Sequence, residues 1–303
     1  ARDIHDLRPR LGRMVMATRK DGSAVTAEDL KVAGSMTALL TDAIKPNLLQ
    51  TLEGGPAFVH CGPFANIAHG NSSIIADQVA LKLADYVITE SGFASDMGME
   101  KFFDITCRAG GLRPSAVVLV ASLRALKHHA DDPDGGIEAI ELGARNLARH
   151  IGIVKSFGLE AVVAINRFPS DADAELGHAR SLALELGACA AEVNEGFARG
   201  GEGARALAEA VVAAAEQPNS FAFAYPEDAP IEEKIRRIAT RVYGADDVFL
   251  LKTAKEKAAG FERAGLGNLP ICMAKTHLSL SHDATLKNAP TGFTVTVRDL
   301  RPY

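Results

Sequence analysis

The residues from His60 to Gly70, HCGPFANIAHG, crowd two imidazoles, a thiol, a carboxamide, an aromatic ring and two glycines into one short stretch. An apolar run, Pro56–Val59, leads in. A serine pair, Ser72-Ser73, leads out and opens the apolar-periodic segment Ile74, Val79, Leu81, Leu83. That order reads as strand, irregular loop and helix N-terminus. Glycines let a backbone turn tightly and approach a ligand, and the free N–H groups of a starting helix attract anions. The guest this chemistry suits is a small oxyanion, a phosphate or a carboxylate, and the candidate catalytic residues are Gly62, Phe64, Asn66 and His69. No Lys-Ser or Lys-Thr follows Gly70, so the stretch is not a Walker A loop. A tight strand-to-helix turn without a ligand is the plainer reading. The concentration of Cys, Pro, Phe, Asn and His favours the functional one.

Two more stretches carry chemistry. Asn166-Arg167-Phe168-Pro169-Ser170-Asp171 closes an apolar run with a hydrogen-bonding amide and a flat hydrophobic platform. Its plain alternative is a strand exit, with Ser170 capping a helix that begins at Asp171. Glu192-Val193-Asn194-Glu195-Gly196-Phe197-Ala198-Arg199-Gly200-Gly201-Glu202-Gly203 follows another strand-like run, and a flexible surface loop with an exposed Phe197 is its plain reading. Asp96 and Glu100 could orient a metal-bound phosphate or simply cap a helix start. Lys275-Thr276-His277 is a polar strand exit, read equally well as structural or as a substrate contact. His128 and His129 flank an acidic turn and read as solvated.

The elements that must position these residues alternate. Strands are expected at Ala57–His60, Tyr86–Thr89, Ala116–Ala121, Ala161–Asn166, Ala190–Val193, Phe221–Tyr225, Val248–Leu251, Ile271–Ala274 and Phe293–Val297. Helices are expected near 27–44, 73–84, 137–157, 171–187, 203–216, 230–242 and 252–264. Runs such as AVVLVA and AVVAIN are apolar on both faces, as buried parallel strands require. The rhythm predicts an α/β fold with a doubly wound, mostly parallel sheet, where ligands bind beyond the carboxyl ends of the strands. The turn Asp131-Asp132-Pro133-Asp134-Gly135-Gly136 is the best boundary, dividing residues 1–130 from a second α/β lobe, 131–303. A chain of 303 residues can hold both. Its formal charge of −5, with signs interspersed, gives no basic footprint for nucleic acid or an anionic membrane. The apolar runs are strand-length and far short of a membrane span. Cys61, Cys107, Cys189 and Cys272 show no CxxC spacing and read as buried free thiols in a reducing compartment, with no metal site.

The run VHCGPFANIAHGNSS resembles the GGPFANIAHG-type loop of the formate–tetrahydrofolate ligases. The similarity continues in the family's order through DGSAVTAEDLKVAGSMTALLTDAIKPNLLQTLEG, ALKLADYVITESGFASDMGMEKFFDI, VVLVASLRALK, VVAINRFPSDADAEL, EGFARGGEGA, EKIRRIATRVYGADDV and LPICMAKTHLSLS. The resemblance implies a P-loop NTPase-like sheet in a cytoplasmic enzyme that formylates tetrahydrofolate with formate and ATP through formyl phosphate. It implies ATP, Mg²⁺ and a monovalent cation as cofactors, and a homotetramer. It implies a ring-binding set of Asn166, Phe168, Pro169, Glu192, Phe197, Gly200 and Gly201, with Phe168 stacking on the adenine or pterin ring and Phe197 facing it. Many family members carry Trp where this chain has Phe197, Gly where it has Ala94 and Gln where it has His277. The family's Gly-Lys-Thr phosphate loop does not occur in these residues, so the chain reads as the central portion of a longer enzyme, inactive by itself. The alternative is a noncatalytic fragment or paralogue that keeps fold and ligand surface.

Overall fold

The computed structural model describes residues 1–62, 69–71 and 73–302. Its centre is a three-stranded parallel sheet, β5 (Val117–Ala121), β6 (Ala161–Asn166) and β7 (Ala190–Asn194), in the order β5-β6-β7. The middle strand is buried along Ala161–Ile165, which explains its unbroken apolar run. Register aligns Ala121 with Ile165 and Asn166 with Asn194, so all three strands end at one edge. The chain therefore folds as mixed α/β with a parallel sheet.

Three small sheets lie around it. β1 (Val15–Thr18) and β2 (Ala24–Thr26) form one antiparallel hairpin; β3 (Asn47–Gln50) and β4 (Pro56–Val59) form another. β8 (Asp247–Leu250) and β9 (Thr294–Val297) pair in parallel. The helices are α1 (Ile4–Gly12), α2 (Ala33–Leu39), α3 (Ile74–Ala80), the short α4 (Arg108–Gly110), α5 (Leu123–His129), α6 (Ile137–Ser156), α7 (Asp173–Glu185), α8 (Gly196–Ala215), α9 (Ile231–Arg237) and α10 (Lys252–Arg263). Wide π-helical turns occupy Ala94–Met99, Phe102–Cys107 and Ile238–Tyr243. Among the described residues, no helix is long and apolar enough to cross a membrane.

Several expectations are corrected. Tyr86–Thr89, Phe221–Tyr225 and Ile271–Ala274 join no ladder. Phe221 and Tyr225 are buried by packing instead. The Phe221 ring meets Phe103 edge-on at 5.1 Å, and the Tyr225 hydroxyl accepts the Ile271 N–H at 2.9 Å. Tyr86 and Ile88 stay exposed beside a cavity of about 610 Å³, which β5 also lines along its free edge. The helix expected over 27–44 is helical only at α2, and a β-hairpin follows it. Helix α7 starts at Asp173 behind an uncapped Ala172; Asp171, not Ser170, closes the preceding turn, its carboxylate accepting the Phe168 N–H at 2.8 Å. The cysteines are free, but only Cys107 is buried; Cys61 and Cys189 are exposed. His129 is half-buried rather than solvated, and its Nδ1 accepts the Asn288 N–H at 3.1 Å. Burial, with His128 and His150 nearby, pushes its pKa down to about 4.

Candidate functional site

The polar loop is anchored at both ends. Pro63–Ala68 and Ser72 lie outside the described residues, and with them Phe64 and Asn66. On the entering side, the buried His60 holds two partners: Nε2 is 2.7 Å from the Ala43 carbonyl and Nδ1 is 2.6 Å from the Ser73 hydroxyl. A carbonyl only accepts, so Nε2 carries the proton, and in the neutral ring Nδ1 accepts from Ser73. Ser73 in turn caps α3, accepting the Ala76 N–H at 3.1 Å. His60 thus ties the end of β4 to the start of α3. Cys61 bends the chain with φ 61°, and Gly62 is exposed.

On the leaving side, Thr106 donates to the His69 carbonyl at 2.6 Å. Gly70 sits at φ 121°, where a Cβ would come within 2.4 Å of the Phe102 Cα; only glycine fits against this π-helical turn. Asn71 donates to Asp77 at 2.6 Å and to Thr89 at 2.9 Å. Burial raises the Asp77 pKa in spite of those bonds, while desolvation and the Lys101 ammonium lower that of His69.

Beneath the loop lies a buried ionic cluster that sequence reasoning split into separate pieces. Asp96 pairs with Lys275 at 2.8 Å, both nearly inaccessible. Asp104 pairs with Arg108 at 3.3 Å and accepts the Ala224 N–H at 2.9 Å. Glu100 is fully buried, and among the described residues only the Asp104 carboxyl stands beside its carboxyl as a hydrogen-bonding neighbour. Burial, reinforced by the Asp104 carboxylate, pushes its pKa far up; burial moves Asp104 to about 6. Asp96 and Glu100 are therefore core residues rather than helix caps. His277 stacks on Phe93 with centroids 4.6 Å apart, which places its ring in a structural contact.

The ring-binding candidates gather at the carboxyl edge of the parallel sheet. The Asn194 amide donates to Asn166 Oδ1 at 2.8 Å, and Asn194 Oδ1 accepts the Gly196 N–H at 3.0 Å. The Arg167 N–H donates to the Asn194 carbonyl at 3.1 Å, and its guanidinium reaches Asp173 at 2.7 Å and Glu195 at 3.4 Å. Phe168 is half-buried, Pro169 exposed and Phe197 fully exposed. Phe197 stands on a helical turn, not a loose loop, because α8 begins at Gly196 and kinks at Gly200 (φ 59°, ψ −149°). Glu192 is held in an ion pair by Arg180 at 2.9 Å.

A contact across 148 residues joins the two regions. Glu53, in the β3–β4 turn, accepts the Gly201 N–H at 2.6 Å, and a Cβ on Gly200 would meet its carboxylate at 2.2 Å. The hairpin that feeds the polar loop is thereby docked onto the glycine kink beside Phe197. Sequence reasoning marked Gly200 and Gly201 but missed Glu53, whose only local role is to make a turn.

A parallel sheet with helices packed on it, polar strand ends and a glycine kink at its carboxyl edge defines a protein of the α/β class. The family model of formate–tetrahydrofolate ligase matches residues 1–303, and the chain belongs to that family. It is 52% identical over 314 residues to the formate–tetrahydrofolate ligase of Desulforamulus reducens, covering 99% of this chain and 55% of that protein. The Roseiflexus castenholzii enzyme of the same name is 54% identical, with the same coverage. The human cytoplasmic C-1-tetrahydrofolate synthase is 52% identical over 98% of this chain and 34% of its own length. The chain spans about half the length of the ligases it matches.

Proposed function

We propose that these residues form the central part of an ATP-dependent formate–tetrahydrofolate ligase. Formate attacks the γ-phosphate of ATP, giving formyl phosphate and ADP; N10 of tetrahydrofolate then takes the formyl group, releasing phosphate. Activation is needed because formate's own leaving group would be oxide, and phosphorylation replaces it with phosphate. The site must hold anions in line, supply donors to developing charge and exclude water from the mixed anhydride. The loop 62–70 receives the oxyanion, with Asn66 and backbone amides as donors, and His60 and Thr106 fixing the two ends. Phe168 and Phe197 hold the flat ring. The observation that supports this reading most is the Glu53–Gly201 bond, which brings the oxyanion hairpin against the ring-binding kink.

In this reading 1–130 carries the oxyanion site and 131–303 the ring-binding residues, a division by role, since β5 shares its sheet with β6 and β7. In this reading the parallel sheet is part of a doubly wound, P-loop NTPase-like sheet, with a cavity lying against β5. Among the described residues no cluster of His, Cys, Asp and Glu offers a metal site, and Asp96 and Asp104 are tied to Lys275 and Arg108. The enzyme works in the cytoplasm as a homotetramer. Omitting ATP, formate or tetrahydrofolate in turn from an assay of the full-length protein tests the reading: product should require all three. Ring binding without turnover would favour the noncatalytic alternative.

A further inference from the structure

Arg124 stands at the carboxyl edge as the second residue of α5, whose N-cap Ser122 directly follows the end of β5 at Ala121. Its guanidinium carbon lies over the half-buried Phe168 ring, 4.5 Å from the centroid. The neighbouring guanidiniums are neutralised: Arg167 by Asp173 and Glu195, Arg199 by Glu195, and Arg180 by Glu192. Arg124 is exposed and, among the described residues, has no carboxylate within ion-pair distance. A guanidinium held over an aromatic ring is attracted by the ring's π-face while its N–H groups remain available to a further partner. That is a preorganised fork for a carboxylate or phosphate, with little side-chain freedom left to lose on binding.

We propose that Arg124 is a specificity-determining residue that binds an oxyanion tethered to the flat ring seated on Phe168. The assignment rests on the ring site of the proposed function and adds to it a charge contact. Both proposed substrates carry such a group: the glutamyl carboxylates of tetrahydrofolate and the phosphates of the nucleotide. One guanidinium therefore reads the presence of the tail, while the ring reads the presence of the heterocycle.

The test compares ligands with and without the tail on the full-length protein, by calorimetric titration of wild type, Arg124→Gln and Arg124→Lys. The probes are tetrahydrofolate against 6-methyltetrahydropterin, and ADP against adenosine. Losing a hydrogen-bonded ion contact should weaken one tailed ligand about tenfold in Arg124→Gln, with its tail-less counterpart unchanged within twofold. Arg124→Lys should fall between, since an ammonium keeps the charge without the fork. A loss confined to tetrahydrofolate identifies the carboxylate as the bound group, and a loss confined to ADP identifies the phosphate. Equal losses for tailed and tail-less ligands would overturn the assignment, because Arg124 would then only brace Phe168; so would no loss for either. If the tail-less rings fail to bind the wild type, the ring site falls. A tail-dependent loss in Arg124→Gln would still keep the oxyanion contact.

Discussion

Gly70→Ala probes the seating of the polar loop. The added Cβ would lie 2.4 Å and 2.5 Å from the Phe102 Cα and nitrogen and 2.7 Å from the Thr106 hydroxyl. Two of those neighbours are backbone, so no rotamer change relieves the clash. The positive φ adds strain of about 1–2 kcal/mol for any L-residue with a Cβ. Lifting the segment off the π-helical turn also breaks the Thr106–His69 hydrogen bond, a further ~1 kcal/mol. Together these disfavour the seated loop by about 3 kcal/mol, or roughly a hundredfold in population. If only the seated loop is competent, kcat of the full-length enzyme should fall by about two orders of magnitude. The KM for tetrahydrofolate should stay within about twofold of wild type, since the ring site is elsewhere. Thr106→Val, which removes the hydrogen bond without adding bulk, should cost about five- to tenfold. Steady-state kinetics on variants with wild-type circular dichroism makes the measurement. A folded Gly70→Ala enzyme with unchanged kcat would refute the seating of the loop as a catalytic requirement.

Asn66→Ala should lower kcat about a hundredfold, from ~3 kcal/mol of lost transition-state stabilisation, with little change in folate KM; equal effects on both parameters would contradict an oxyanion role. Phe197→Ala should raise the tetrahydrofolate KM about fivefold, the equivalent of ~1 kcal/mol of stacking, and leave the melting temperature unchanged because the ring is exposed. Ala94 holds φ 62°, so Ala94→Gly should raise the denaturation free energy by about 1 kcal/mol; a fall would show that the helix start tolerates alanine without strain. Glu100 and Asp104 have raised carboxyl pKa values, so the folded state binds more protons than the unfolded and stability declines as pH rises from about 4 through 6 and beyond. Glu100→Gln, which mimics the protonated acid, should flatten that decline in melts between pH 5 and 8.5, chosen to bracket about 6; an unchanged slope would mean that Glu100 does not titrate there.

The parts of the fold legible in the chain are those where a local pattern had one outcome. AVVLVA and AVVAIN read as buried parallel strands and became β5 and β6. Tyr86–Thr89 carries a similar apolar signal, yet a strand is defined by its neighbour, and among the described residues none pairs with it. Phe221–Tyr225 is apolar because Phe103 and Phe157 pack around it, not because it pairs. At the site, glycines and caps were readable: Gly70, Ser73 and Gly200 announce backbone geometry in their own side chains. Glu53, Arg124, Asp96 and Lys275 were not readable as partners, because each meets a residue tens to hundreds of positions away. Their pairing is a product of topology, which periodicity does not encode.

In the proposed enzyme, one edge of the molecule holds a flat ring beside the loop that receives an activated one-carbon oxyanion. A crystal structure of the full-length protein with tetrahydrofolate and ADP measures it directly. The pterin should lie between Phe168 and Phe197, with N10 turned toward the loop 62–70. A pterin bound elsewhere, with Phe168 and Phe197 untouched, would contradict the account.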